Sequence, residues 1–262
     1  MVVDVDFTTC PQYIQGYVPG FKFDKGAKFT RFSDRRIVVP EKDWKPLGRE
    51  IRKKGGGSSR MLRRISNQRQ EGSCVSHGST YSSMICYARQ LGIKRAIDLS
   101  PMSLYKQIGR SPGSGAYVPD AIDTLSTLGQ LPLDTAENKA RFKHTFPETG
   151  FYTPYPEGWK ETAIQFRVLE WLVIDDLAEF VSALLQGLGV VYGRDGHCIC
   201  CCEWDVDDEG NEFGKYVNSW DKWGIPGGDF AYGFGLDSRR KIASIDYAFA
   251  ISQVEVSWAL AA

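Results

Sequence analysis

The sequence predicts an α+β protein with a helical lobe followed by a sheet-rich lobe. Helical periodicity dominates the earlier part of the chain, and strand-like runs separated by turns fill the later part. The chain has 27 glycines and 12 prolines among 262 residues, which favours many turns and fits a mixed architecture better than a helix bundle. This length is sufficient for one large domain or for two lobes that share a cleft.

The longest predicted helix begins at Cys74 and continues to about Gln90, and Gly92 is suited to end it. Its apolar side chains recur at helical spacing and predict a buried stripe of Val75, Met84, Ile85, Ala88 and Leu91.

Two shorter helices are predicted next, over residues 100–108 and 119–128. Each has a proline in its first turn, where the missing N–H group costs no helical hydrogen bond. Gly129 ends the second of them. Residues 130–163 contain four prolines and are predicted to be irregular.

The clearest amphipathic helix is predicted over residues 175–188. Asp175 and Asp176 lie at its N-terminal end, where the helix dipole stabilises negative charge. Antiparallel strands are predicted after it, because β-branched, aromatic and cysteine-rich runs alternate there with turn residues. The predicted strands are 189–193, 197–204, 214–219, 229–234 and 246–255.

Residues 1–37 show no clear period and are interpreted as an N-terminal extension or docking arm. Residues 45–69 carry nine basic residues and one acid, Glu50, and they include the stretch KKGGGSSR. That composition indicates a flexible, solvated surface flap.

The composition argues against several classes of protein. The formal net charge is zero, so no overall field favours nucleic acid or a membrane surface. No apolar run reaches the roughly 18 residues of a spanning helix, and the start of the chain lacks the features of a signal peptide. We therefore expect a cytoplasmic protein, in which seven cysteines are free thiols, ligands or nucleophiles rather than disulfide partners.

Cys74 lies where Gly72-Ser73 gives way to a helical pattern, and the N-terminus of a helix lowers the pKa of a thiol. A thiolate nucleophile also needs a base, and the chain has three histidines: His77, His144 and His197. His197 opens a predicted strand directly after the turn GRDG. Asn218 lies on the next predicted strand and could orient the imidazole, with Trp220 shielding their hydrogen bond from water.

These residues resemble the papain-like cysteine peptidases in order and spacing. NQRQEGSC resembles the family's NQGxCGSC, GHCICCCEWD resembles its histidine-led strand, and VNSWDKWG is similar to KNSWGxxWG. SGAYVPDAI is similar to its GGxxxxAL stretch, which binds substrate backbone. The histidine and asparagine follow the cysteine by 197 − 74 = 123 and 218 − 74 = 144 positions, near the spacing typical of the family.

The resemblance implies a papain-like domain over residues 38–262 with an active site in the cleft between two lobes. The expected lobes are a helical one at about 60–160 and a β-barrel-like one at about 161–262. The short length is similar to bacterial or viral members of the family.

The roles implied by the resemblance follow residue by residue. Cys74 would be the nucleophile, His197 the acid and base, and Asn218 the group that orients His197. The Gln68 side chain and the Cys74 backbone N–H would stabilise the oxyanion. The residues expected to contact substrate are Gly72, Ser73, Gly115 and Trp220.

Several positions depart from the family pattern. Val75 replaces an aromatic residue, Glu71 replaces a disulfide cysteine, and Trp223 is one position nearer to Trp220 than expected. Val191 and His197 are only six positions apart, so part of the wall on the leaving-group side is expected to be missing. That shortening predicts a more open site, or one completed by a partner. Residues 1–37 are too short for the family's helical propeptide and could block the site or dock a protein partner.

Other residues have alternative interpretations. Cys198, Cys200 and Cys202 share one face of a strand, where core packing is favoured over a metal site because C-x₂-C spacing is absent. His77 is interpreted as a histidine packed within the helix.

Three functions stay open at this stage. The leading one is a cofactor-free thiol hydrolase that cleaves peptide or isopeptide bonds in a peptide or protein substrate. The second is a structural or binding component of a larger, possibly virion, assembly. The third is a cell-wall amidase, which the NSW segment disfavours.

Overall fold

The computed structural model describes residues 4–7, 30–220, 233–245 and 248–260. These ranges contain ten α-helices and six β-strands. The helices are α1 (Phe32–Arg35), α2 (Trp44–Lys53), α3 (Cys74–Leu91), α4 (Pro101–Ile108), α5 (Val118–Thr127), α6 (Ala136–Arg141), α7 (Trp159–Ala163), α8 (Leu177–Leu185), α9 (Arg239–Ile242) and α10 (Ser257–Leu260). The strands are β1 (Val168–Ile174), β2 (Val190–Arg194), β3 (His197–Val206), β4 (Glu212–Val217), β5 (Phe234–Ser238) and β6 (Ala248–Val254).

The predicted helices form close to their expected bounds because their end signals are local. Gly92 follows α3 with φ 81°, and Gly129 follows α5 with φ 76°, a conformation that glycine adopts without a steric penalty. The Ser100 hydroxyl accepts a hydrogen bond of 3.1 Å from the Ser103 backbone N–H at the start of α4. The Asp176 carboxylate accepts one of 2.8 Å from the Glu179 N–H at the start of α8.

Two points of the predicted secondary structure need correction. Strand β1 was not predicted, and α6 and α7 lie in the stretch that was predicted to be irregular. Strand β1 pairs with β6, about 80 positions further along the chain. The pairing that stabilises it is therefore not visible in the sequence of the strand itself. The predicted strand at 229–234 overlaps the described residues only at its end, where β5 begins, and Trp223 lies outside them.

The basic stretch 45–69 is not a solvated flap. Its first half forms α2, and Ser58 and Ser59 are buried. The Ser59 hydroxyl donates a hydrogen bond to the buried carboxylate of Glu203, and Lys215 Nζ lies 3.8 Å from the same carboxylate. The loop is therefore fixed to the sheet by a buried polar cluster.

The six described strands form one open antiparallel sheet in the order β1-β6-β2-β3-β4-β5. The predicted α+β class is confirmed, and the sheet is not closed into a barrel. Strands β2 and β3 are joined by a two-residue turn in which Asp195 and Gly196 have φ of 51° and 74°. Two positive φ angles are typical of the tight turns in hairpins.

Strand β3 is buried along its whole length and has packed side chains on both faces. Cys198, Cys200 and Cys202 belong to the apolar cluster shared with α3, as the predicted alternation requires. Cys201 belongs to the cluster on the other face, with residues of α2 and α8. The cysteine-rich run is therefore part of the core.

In the described part of the chain, no helix is both long and apolar enough to cross a bilayer.

Candidate active site

Cys74 is the first residue of α3 and is fully buried. The turn before it presses against the loop that precedes Gly115. Gly72 N–H donates a hydrogen bond of 2.7 Å to the Pro112 carbonyl, and a Cβ atom on Gly72 would lie 2.6 Å from the Ser114 carbonyl oxygen. Only glycine fits this approach, which brings two of the predicted substrate-contacting segments together.

His197 and Asn218 are joined by a hydrogen bond of 2.7 Å between Nε2 and Oδ1. An amide oxygen accepts, so Nε2 carries the hydrogen and Nδ1 is left as an acceptor in the neutral ring. Among the described residues no hydrogen bond reaches Nδ1, from Cys74 or from any other group. The indole of Trp220 stacks on the imidazole with centroids 4.5 Å apart and planes at 26°, which covers the His197–Asn218 bond.

The start of α3 and the start of β3 lie side by side. Gly78, one helical turn after Cys74, has no side chain, and a Cβ there would lie 3.3 Å from Cys198 Sγ. After burial, the charge of a Cys74 thiolate is the next factor that raises the pKa of the Cys198 thiol. The first turn of α3 therefore lies beside the residue that follows His197.

The Gln68 side chain is held at both ends of its amide. Its oxygen accepts a hydrogen bond from the Ser219 hydroxyl, and its nitrogen donates one of 2.8 Å to the Glu71 carbonyl. The Gln68 N–H also donates to the Ser219 carbonyl at 2.8 Å. Ser219 thus joins the candidate oxyanion donor to the segment that carries Asn218, a link that sequence reasoning missed although NSW was recognised.

Glu71 occupies the position where the resemblance would place a disulfide cysteine. Its carboxylate accepts hydrogen bonds from the backbone N–H groups of Gly150 and Phe151, at 3.1 and 3.0 Å. A charged acceptor therefore ties the loop before Cys74 to this distant segment without a covalent bond.

The site is closed in this structure, and the prediction of a more open site is wrong. His197 is fully buried, and the ring of Phe7 packs edge-on against it with centroids 4.7 Å apart. Phe7 also lies against Arg194, the residue that precedes the short β2–β3 turn, with the guanidinium 4.1 Å from the ring centroid. Sequence reasoning missed Phe7 because nothing in its neighbourhood predicts a contact with a strand so far along the chain.

Burial lowers the pKa of His197 to about 4. The hydrogen bond to Asn218 opposes this shift, and the positive charge of Arg194 adds to it. The imidazole is therefore neutral at pH 7 in the closed site, so its cation is not available there to stabilise a thiolate.

His77 is packed within α3, as predicted, and is fully buried. Its Nδ1 lies 2.6 Å from the Ser66 hydroxyl, which also bonds the Tyr81 hydroxyl at 2.8 Å. Burial lowers the pKa of His77 to about 3, and repulsion from His197 adds to the effect.

Acid should destabilise the protein through His77. The unfolded chain binds a proton below about pH 6.5, whereas the folded His77 stays neutral down to about pH 3. The free energy of unfolding should therefore fall as pH drops through this window, by up to about 1.4 kcal/mol per pH unit. Urea titrations at several pH values should show a shallower fall for His77→Gln. His144→Gln, in a half-buried loop, is the control, and an unchanged slope in His77→Gln would refute the assignment.

No protein-family model and no curated protein sequence matches the chain. Several solved structures match the fold of this chain. Xylellain, a cysteine protease from Xylella fastidiosa, superposes with a TM-score of 0.62 at 15% identity, covering 93% of this chain and 97% of that one. The digestive procathepsin L2 proteinase of Tenebrio molitor larval midgut gives a TM-score of 0.64 at 14% identity, with 95% and 80% covered. Bromelain from Ananas comosus, in complex with the E64 inhibitor, gives 0.52 at 12% identity, with 73% and 94% covered. At these identities the similarity shows the fold, which is that of the papain-like cysteine proteases.

Proposed function

We propose that this protein is a papain-like thiol hydrolase that cleaves peptide or isopeptide bonds through an acyl-enzyme on Cys74. The observation that carries the proposal is the hydrogen bond of 2.7 Å between His197 and Asn218 beneath the stacked Trp220, beside a helix that begins at Cys74. The papain-like fold supports it, as does the held side chain of Gln68.

The proposed reaction begins when the Cys74 thiol loses its proton to Nδ1 of His197. The sulfur then attacks the substrate carbonyl carbon, and the carbonyl oxygen takes up the electron pair as an oxyanion. The Cys74 backbone N–H and the Gln68 amide would stabilise that charge. The oxyanion's electron pair then re-forms the carbonyl, the C–N bond breaks, and protonated His197 gives its proton to the leaving amine, which leaves the acyl group bonded to sulfur. Water, activated by neutral His197, hydrolyses this bond and restores the thiol.

The Asn218 amide has a defined part in this scheme. By accepting from Nε2 it holds the tautomer whose Nδ1 can accept a proton, and it stabilises the imidazolium that forms. Trp220 excludes water from that bond and so keeps it strong. Gly72, Ser73 and Gly115 are proposed to line the path of the substrate backbone.

An activity-based label tests the proposal. An epoxysuccinyl peptide should alkylate Cys74, located by mass spectrometry, and Cys74→Ala should lose the label. Cys86→Ala is the matched control: Cys86 lies on the same helix and burial raises its pKa to about 12, so labelling should persist. Absence of label from about pH 5 to about pH 8, in wild type and in Phe7→Ala, would reject the proposed hydrolase activity.

The burial of the site favours one alternative, a structural or binding component built on the same fold. Cys74 and His197 are both fully buried, as expected of a site that no longer meets substrate. In that case Cys74→Ala would leave assembly and biological function unchanged, and deletion of residues 1–37 would abolish binding to a protein partner.

A further inference from the structure

Residues 4–7, here called the N-terminal plug, lie directly against the candidate acid-base residue. Phe7 is fully buried. Its ring centroid is 4.7 Å from that of His197, 5.5 Å from that of Trp220 and 6.0 Å from that of Tyr216. All three contacts are edge-to-face, the arrangement that aromatic rings favour. The side chain therefore occupies an aromatic pocket of which His197 is one wall.

Arg194 forms a further wall of this pocket and holds the plug in place. Its guanidinium lies over the Phe7 ring at 4.1 Å from the centroid, and Nη1 donates a hydrogen bond of 2.6 Å to the Val5 carbonyl. Asp237 fixes the guanidinium from the other side through Nε at 2.9 Å and Nη2 at 2.5 Å. A guanidinium cation over the face of an aromatic ring attracts that ring electrostatically. Because Asp237 fixes the position of the cation, this attraction holds the Phe7 ring in place.

A second anchor lies at the start of the plug. The Asp4 carboxylate accepts hydrogen bonds of 2.6 Å from the Ser238 backbone N–H and 2.7 Å from its hydroxyl. Asp4 is exposed, so this contact is weaker than the buried one at Arg194.

If the proposed function holds, the position of Phe7 corresponds to that of one residue of the bound substrate. A histidine that protonates the leaving amine must have the leaving-group residue beside it in the reacting complex. The β2–β3 connection is a two-residue turn, and Phe7 packs against both residues that flank it, Arg194 and His197. Phe7 thus stands where the first residue beyond the cleaved bond would lie.

We propose that Phe7 is a self-bound mimic of the leaving-group residue and that this pocket selects peptides with an aromatic residue directly after the cleaved bond. The inference rests on the proposed hydrolase. The plug blocks the site until an aromatic peptide displaces it, and the cage of His197, Trp220, Tyr216 and Arg194 then holds the incoming ring. Smaller or acidic side chains lose the edge-to-face contacts and the cation–ring contact.

Peptide binding tests the pocket without requiring hydrolysis. A fluorescent acetylated tetrapeptide with the plug sequence Asp-Val-Asp-Phe is titrated against Phe7→Ala protein, followed by anisotropy, beside Asp-Val-Asp-Ala. We expect the phenylalanine peptide to bind at least about tenfold more tightly, and wild type to bind both weakly because its own plug competes. Equal binding of the two peptides, or binding of neither, by the folded variant would overturn the inference.

Reactivity gives the second readout. Phe7→Ala should alkylate at Cys74 at least about tenfold faster than wild type, and reporter peptides with phenylalanine after the cleaved bond should be hydrolysed in preference to those with alanine. Asp4→Asn weakens the contact of the plug with Ser238 and removes no buried side chain, so it replaces Phe7→Ala as the test if that variant fails to fold. It should raise the alkylation rate by a smaller factor. Ile37→Ala, which changes a side chain 81% exposed, is the control and should behave as wild type.

The outcomes separate the two proposals. Selective binding of the phenylalanine peptide with no hydrolysis of any reporter keeps the pocket and rejects the hydrolase. Hydrolysis that ignores the residue after the cleaved bond, with an unchanged alkylation rate in Phe7→Ala and Asp4→Asn, keeps the hydrolase and rejects the inference.

Discussion

Replacing His197 with alanine is expected to lower kcat/KM for a peptide substrate at least about 10³-fold. In the proposed reaction this ring takes the thiol proton and later delivers it to the leaving amine, and it is the ring that bonds Asn218 and stacks on Trp220. Steady-state hydrolysis of a fluorogenic peptide, in wild type and in the Phe7→Ala background, measures the change. The second background ensures that a closed plug does not mask the effect.

Two variants serve as comparisons for His197→Ala. Asn218→Ala should cost less, about 10–10²-fold, because the imidazole remains and only its orientation and hydrogen bond are lost. His144→Ala should leave the rate unchanged, since His144 lies in the loop after α6 and the proposed reaction gives it no role. If His197→Ala retains a third of the wild-type rate while staying folded, His197 does not act as the acid and base.

Replacing Asp237 with alanine is expected to lower the free energy of unfolding by about 3–5 kcal/mol. Asp237 is fully buried and neutralises Arg194, whose side chain is only 5% exposed. The same carboxylate accepts a hydrogen bond of 2.6 Å from the buried Tyr192 hydroxyl. Its removal leaves the buried Tyr192 hydroxyl without this acceptor and takes away the more buried of the two carboxylates that pair with Arg194. Urea denaturation of the full chain measures the loss.

Asp195→Asn provides the matched control for this variant. Asp195 also contacts Arg194, at 2.5 Å, but its side chain is 23% exposed, so the loss should stay below about 1 kcal/mol. Asparagine also tolerates the positive φ of the turn. Equal destabilisation by Asp237→Ala and Asp195→Asn would show that the buried ion pair is not a major source of stability.

The helical part of the fold could be predicted from the sequence because its signals lie within a few residues of each other. Helix α3 starts at Cys74 and ends before Gly92 in sequence and structure alike. Strand β1 escaped prediction because its partner is β6, and a pairing between distant segments leaves no local signal beyond an apolar run. The prediction of a solvated flap at 45–69 was wrong for a similar reason, because Glu203, which accepts the hydrogen bond of the Ser59 hydroxyl, is 144 positions away.

The candidate site was partly predictable for the same physical reason. The residues Gln68, Cys74, His197 and Asn218 stand in short motifs with recognisable neighbours, and the predicted contact between His197 and Asn218 is present. Their catalytic roles stay predictions. Ser219 and Arg194 lie within or beside those motifs, yet their contacts with Gln68 and Val5 depend on which side chains the fold turns toward each other.

By itself the sequence determined the α+β class, the bounds of the helix that begins at Cys74 and the alternation of the cysteines on β3. These follow from backbone geometry and from periodicity within a segment. Only the tertiary structure decided that the site is closed. The contact between Arg194 and Val5 spans 189 positions, and the burial that keeps His197 neutral depends on how the surrounding segments pack on it, Phe7 included. Contacts at that separation depend on how all the intervening segments pack, which local sequence does not encode.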